Sequence, residues 1–352
     1  MDKRIIDKSN AFWAHDDVKQ PILSISVRDG SAPWDETTPE NSYELWEDLD
    51  ARYKRSRFTM KNTKYFGDAI AMDWINFGPG CLAAMMGSNY VADANTVWFG
   101  VGEYFFKDWS NINELRLLED APMYKMVIDL TRALAENNDG SYIVGVSDLG
   151  GNLDILASLR NTQDVLIDLY DDPEMVLRAV EIIDEAWIKY YTILRNIIKD
   201  SGQLGHTTWL GPWCETSYYP LQCDLAAMIS PKDFEKFAMP SLKRISDFLD
   251  HSLFHLDGPG QIAFLDQLLA VEKIDGIQWV PGDGSSPVFD DKWFPMYKKI
   301  QDANKNLVLH GLYTVDDVVK ICDNLSPKGL WLNIWLNTEA EAEELLKRCN
   351  WS

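Results

Sequence analysis

The chain has 352 residues, 46% hydrophobic and 25% charged, enough for a large buried core. Its formal net charge of -22 argues against a nucleic-acid backbone or an anionic membrane surface as partner. No run approaches the ~20 apolar residues of a membrane span, and Met1-Asp2-Lys3-Arg4 leads into a polar stretch, so a cytoplasmic location is expected.

Residues 1–60 read as a charged N-terminal helical extension, with Pro33-Trp34, Pro39 and an acidic helical stretch from Tyr43 to Arg57. Within it, Ile22 to Val27 alternates like a strand, either an early strand of the main fold or an edge. From residue 65 a rhythm of strand, Gly/Pro turn and helix recurs. Ala69 to Asn76 precedes Gly78-Pro79-Gly80 and a small-residue helix, Cys81 to Met86. Val97 to Phe99 is a short strand, and Leu115 to Asn137 is helical. Tyr142 to Ser147 is a strand, followed by Asp148-Leu149-Gly150-Gly151 and a helix over Asn152 to Arg160. Asp172-Pro173-Glu174 opens a long amphipathic helix to Lys199, with Asp at the cap and Pro in the first turn.

His206 to Leu210 reads as a strand ending in Gly211-Pro212-Trp213-Cys214, and Tyr218 to Asp224 as a loop over the mouth of the fold. Ser230-Pro231-Lys232-Asp233 caps a helix running to Leu249. Ser252 to Phe254 and Ile277 to Val280 are strands ending in polar tips and Gly/Pro turns, joined by a helical pattern from Ile262 to Ala270. Asn306 to His310 and Gly329 to Trp335 complete the set. A last helix, Thr338 to Arg348, starts acidic and ends basic, as the helix dipole favours. About eight strand–helix alternations predict an α/β fold, a (β/α)8 TIM barrel over residues 61–352 behind the 1–60 extension. No GxGxxG or GxxxxGK[ST] follows a strand.

In parallel α/β folds, catalytic groups gather at the strand C-terminal ends. The candidates there are Asp73, Asn76, Asp148, Trp213-Cys214-Glu215, His255, Asp257, Gln278, Asp283, His310, Tyr313 and Asn333. His255 and Asp257 are two apart on a strand and face one way, a general acid/base pair or a partial metal site. The plainer alternative makes Asp257 a turn cap and His255 a hydrogen-bonded strand residue. His310 ends the apolar run Asn306 to Leu309, as a site residue or a satisfied core histidine. Cys223, in Gln222-Cys223-Asp224, is a nucleophile, a metal ligand or a packing residue. The five scattered cysteines (Cys81, Cys214, Cys223, Cys322, Cys349) are expected to be free thiols. A catalytic zinc takes three side-chain donors and an open position; His255 and Asp257 give two, and Cys223, Cys214, Glu215 or His310 a third.

His255-Leu256-Asp257-Gly258-Pro259-Gly260, Ile277-Gln278-Trp279-Val280-Pro281-Gly282, Asn76-Phe77-Gly78-Pro79-Gly80 and Asp171-Asp172-Pro173-Glu174 resemble the uroporphyrinogen decarboxylase superfamily. The likeness runs over residues 65–348 and is nearest the branch labelled trimethylamine-corrinoid-protein-like. It implies a (β/α)8 barrel and one of two activities: cofactor-free decarboxylation of porphyrinogen acetate arms, or zinc-dependent methyl transfer between a corrinoid protein and a thiol. The decarboxylases' Arg-Gln-Ala-Gly-Arg motif has no match; the early chain offers Val27-Arg28-Asp29-Gly30. The methyltransferases' His-x-Cys is met by His255, with Asp257 at the Cys position, and Asn333-Ile334-Trp335 stands near their later Cys.

The resemblance implies a methyltransferase acting on a small methylated or thiol substrate. A separate corrinoid protein would be its partner, since the chain has no Asp-x-His-x-x-Gly cobalamin signature of its own. His255, Asp257 and Cys223 would hold Zn²⁺; His255, Asp257, Asp73 and His310 form the catalytic set. Asn76, Trp213, Tyr218, Gln278, Trp279 and Asp283 are expected to bind substrate, the aromatic faces suiting a methylammonium or aryl group. A decarboxylase-like lyase, with Asp73 or Asp257 stabilising a protonated intermediate, is the alternative; a non-catalytic ligand-binding barrel is the third. Homodimerisation is open.

Overall fold

The computed structural model describes residues 2–28, 46–93 and 96–351. Pro33, Trp34, Pro39 and Tyr43 lie outside the described residues. The chain opens with helix α1 (Lys3–Trp13), capped by the Asp2 carboxylate, which accepts from the Arg4 N–H at 2.9 Å. Strand β1 (Ile22–Arg28) follows, then α2 (Leu49–Lys61), β2 (Thr63–Gly67) and β3 (Met72–Trp74). A small antiparallel hairpin, β4 (Tyr90–Ala92) with β5 (Val97–Phe99), precedes α3 (Pro122–Glu136) and β6 (Ile143–Gly145).

The predicted helix over Asn152 to Arg160 forms with those bounds (α4), and Pro173–Asp200 makes the long helix (α5). Next come β7 (Tyr218–Leu221), α6 (Met239–Phe248), β8 (His251–Asp257), β9 (Gly276–Val280), β10 (Asn306–Leu312), α7 (Val315–Asn324), β11 (Leu330–Leu336) and α8 (Glu339–Arg348). Thr338 and Glu341 form a reciprocal capping box on α8, confirming the charge-patterned helix read from sequence.

The main sheet runs β2-β1-β11-β10-β9-β8-β7, all parallel except β2, which pairs antiparallel with β1 at the edge. The parallel pair β3–β6 is bridged to Thr207 through Gly145. The alternation predicted from sequence therefore stands as an α/β fold with a central parallel sheet. β1 lies inside this sheet, so the N-terminal 60 residues contribute a strand as well as helices. His206 to Leu210 supplies single bridges, His206 to Cys214 and Thr207 to Gly145, where a strand was predicted. Tyr218 to Leu221 is a strand rather than the predicted loop. Its proline is tolerated because β7 ends the sheet order, where a missing N–H breaks no inner ladder.

Side-chain alternation splits the sheet into two faces. One packs Leu23, Ile25, Phe254, Leu256, Ile277, Trp279, Leu307, Leu309 and Leu332 against the helices in the main core. The other carries Ile22, Leu253, Val308 and Trp331 at the N-terminal end, closed by Phe12 and Trp13 of α1. Farther along that face the residues turn polar. The register pairs Ser24 with Asn333, Ser26 with Trp335, and His255 with Gln278, so each pair shares a face. Asp68, almost fully buried, ties both chain ends to this frame: it accepts from Leu23 N–H, Arg4, Lys8 and the Trp351 indole. Among the described residues no helix is long and apolar enough to cross a membrane.

Candidate functional site

Three ionisable side chains converge at the C-terminal ends of β7 and β8. Asp224, His255 and Asp257 each offer a ligand atom, all within 4.8 Å of one another. The strand period places His255 and Asp257 together, and Asp224 arrives three residues after β7. Gln261 fixes the two segments: its Oε1 accepts from the Asp257 N–H at 3.1 Å, and its Nε2 donates to the Cys223 carbonyl at 3.2 Å. Gly258, in a left-handed conformation at φ 78°, lets the chain turn directly after Asp257.

The imidazole of His255 is oriented. Its Nδ1 donates to Gln278 Oε1, which leaves the Nε2 lone pair for a ligand. The Trp209 ring stands edge-on to it, with centroids 4.8 Å apart. Gln278 is fully buried, and its Nε2 has no partner among the described residues.

The triad lies in a field of carboxyl groups. Asp224 is exposed as a residue, yet loss of solvent around its carboxyl, then the Asp257 charge, raise its pKa against the opposing effect of His255. Asp154 accepts from the Asp224 and Leu225 N–H groups at 2.9 and 2.8 Å, and burial raises its pKa too. Asp148, after β6, accepts from Gly150 N–H and Gln222 Nε2, both at 2.9 Å; burial pushes it up to about 7. Crowded carboxyls that resist ionisation relax when a cation sits among them. The donor set, one imidazole and two carboxylates, suits a divalent ion such as Zn²⁺.

His310 lies on the same polar face. Burial lowers its pKa to about 4, with His255 a further cause. Its Nε2 is 2.7 Å from Asn333 Nδ2 and 3.0 Å from the Leu210 carbonyl. A register shift between Leu309 and Leu312, at Gly311 with φ 80°, sets its direction. Asn333 also lines the large cavity of about 470 Å³, between β1, α2, β3 and β11. That cavity holds Asp73 and Asn76, and none of the triad residues lines it. Burial raises Asp73 to about 6, and the Ser56 hydroxyl donates to it.

Other expected site residues fall elsewhere. Gln278 and Trp279 are adjacent on a strand and face opposite sides, so Trp279 packs under the helices at 4.9 Å from Trp293. Trp213 and Tyr218 sit in the apolar cluster at the far end of the strands: Trp13 donates to the Trp213 carbonyl at 2.7 Å and lies 4.7 Å from Tyr218. Tyr218 pairs in register with His251, four residues before His255. Cys214 is buried in that same cluster, and Glu215 is exposed.

Cys223 is buried and is not one of the three convergent donors; burial and the nearby Asp154 carboxylate push its thiol well up. The neighbouring Asp224 takes the place expected of it. Asp283 and Tyr313 are exposed. Asp224, Gln261 and Arg52 were not among the expected site residues. Only Asp224 had a local signal, its place beside Cys223.

No protein-family model and no curated protein matches the chain. Among solved structures, it is similar to a methyltransferase from Methanosarcina mazei at 12% sequence identity, with a TM-score of 0.61 over 98% of each chain. At that identity the likeness shows a shared fold.

Proposed function

We propose that this chain is a methyltransferase of the uroporphyrinogen decarboxylase superfamily, a (β/α)8 barrel that moves a methyl group between a small substrate and a separate corrinoid protein. The observation that carries the reading is the Asp224–His255–Asp257 triad at the strand ends. The full-length fold likeness to the Methanosarcina mazei methyltransferase supports it. A Zn²⁺ held there would lower the pKa of a bound thiol or polarise a leaving heteroatom. Gln278 orients His255, Gln261 fixes the backbones that present Asp224 and Asp257, and Trp209 shields the imidazole from water. His310 and Asn333 link the triad's surroundings to the cavity.

A cofactor-free decarboxylase is the second reading. Asp73 favours it: the carboxyl lines the cavity, and a pKa near 6 lets it exchange a proton around neutrality. Incubation with a methylated corrinoid protein and a panel of thiols separates the two. The methyltransferase reading expects corrinoid demethylation that stops on chelation and returns with zinc. Decarboxylation that survives chelation establishes the second reading instead.

A further inference from the structure

The cavity has a composition that the triad does not explain. Its walls are Trp46, Trp74, Trp331 and Trp335, with Arg52 and Arg55 entering from α2 and Asp73 from β3. Arg52 thus shares the cavity with the Asp73 carboxylate and four tryptophans. Arg52 is half-buried. One of its N–H groups donates to the Asn76 carbonyl, and its guanidinium lies over the Phe77 and Trp46 rings at 4.4 and 5.4 Å. The guanidinium forms no other hydrogen bond and no ion pair with a described residue.

Burial lowers the Arg52 pKa to about 10, partly offset by the Asp73 charge. A poorly solvated guanidinium with donors to spare is a ready partner for a planar oxyanion, which it binds through two parallel hydrogen bonds. Ser24, Ser26 and Thr59 add hydroxyls to the lining, and a volume of about 470 Å³ suits a small organic molecule.

We infer that this cavity binds a small anion with a flat apolar body, an aryl carboxylate, whose carboxylate sits on Arg52 and whose ring lies among the tryptophans. The inference narrows the substrate class of the proposed enzyme and rests on that reading only in treating the cavity as the substrate side of the site. It turns away from the methylammonium that aromatic walls alone suggest, because a cation would meet the Arg52 guanidinium.

The test is a charge series on chelator-treated protein, read by calorimetry and tryptophan fluorescence: benzoate, its neutral isostere benzamide, and the cation benzylamine. Benzoate is expected to bind tightest and benzylamine weakest. In Arg52→Gln, benzoate affinity should fall by about tenfold or more while benzamide affinity holds. The inference is overturned if benzamide or benzylamine binds as well as benzoate, if no probe saturates at millimolar concentration, or if Arg52→Gln binds benzoate undiminished. The series on the unaltered chain decides alone should that variant not fold. Because metal is absent throughout, failure of the zinc reading leaves this result standing, and the reverse holds too.

Discussion

Strand β8 carries two histidines on one face, four residues apart, with opposite fates. His251, at the N-terminal end, stacks on Trp13 at 4.8 Å with an interplanar angle of 27°, beside Tyr218, Leu253 and Trp213. His255, one strand turn of chemistry farther on, meets Gln278, Asp224 and Asp257. The same residue type on the same face is packed at one end and poised at the other. Position along a parallel strand therefore separates scaffold from site more sharply than residue type does. At the N-terminal end the Trp13 and Trp213 indoles donate to backbone carbonyls, and His251 Nδ1 lies 3.4 Å from an Asp275 carboxylate oxygen. At the C-terminal end several carboxyl groups crowd together and are held above their ordinary range.

The contrast can be broken at either end. The largest expected effect is at the packed end. Trp13→Ala removes a ring that touches Phe12, Tyr218 and His251, and should cost about 3–5 kcal/mol in denaturant unfolding while zinc affinity stays unchanged. Weakened metal binding in that variant would mean the two ends are coupled. Next, Gln278→Leu takes away the acceptor that orients His255. Zinc affinity should drop by about 10–100-fold with little change in melting temperature, whereas Trp279→Ala, one residue along, should lose stability and keep its zinc. Identical behaviour of the two variants would refute the assignment of faces.

The smallest effect concerns pH. Folding raises the Asp148 pKa from 3.8 to about 7, so between those values the folded chain holds a proton that the unfolded chain has released. Its contribution to stability is therefore full below about pH 4 and declines as pH rises towards 7. Asp148→Asn should flatten this part of the stability profile relative to wild type. An unchanged slope would show that Asp148 ionises normally in the folded state.

Much of the helical frame was legible in the sequence because its signals are local. Asn152 to Arg160 follows from the Gly150-Gly151 turn before it, the Pro173 helix from its first-turn proline and amphipathic pattern, and the capping box at Thr338 is written in four residues. Strand β7 was hidden by Pro220, whose usual meaning fails at a sheet end. The site was legible only where two residues lie on one strand, as His255 and Asp257 do. Trp279 was misassigned because period-two alternation, applied to His255 and Asp257, was not carried to its neighbour Gln278. Trp213 and Tyr218 lie near strand residues in sequence but at the opposite end in space. Asp224 and Arg52 reach their places through tertiary packing across large sequence separations, which no spacing rule encodes.

The central claim is that Asp224, His255 and Asp257 form one cation site at the polar end of the sheet. Calorimetric titration of chelator-treated protein with zinc tests it most directly. The account predicts one saturable site per chain, abolished in His255→Ala/Asp257→Ala, strongly weakened in Asp224→Asn, and unchanged in Cys223→Ser. Absence of saturable binding, or binding that survives the double variant, would contradict it.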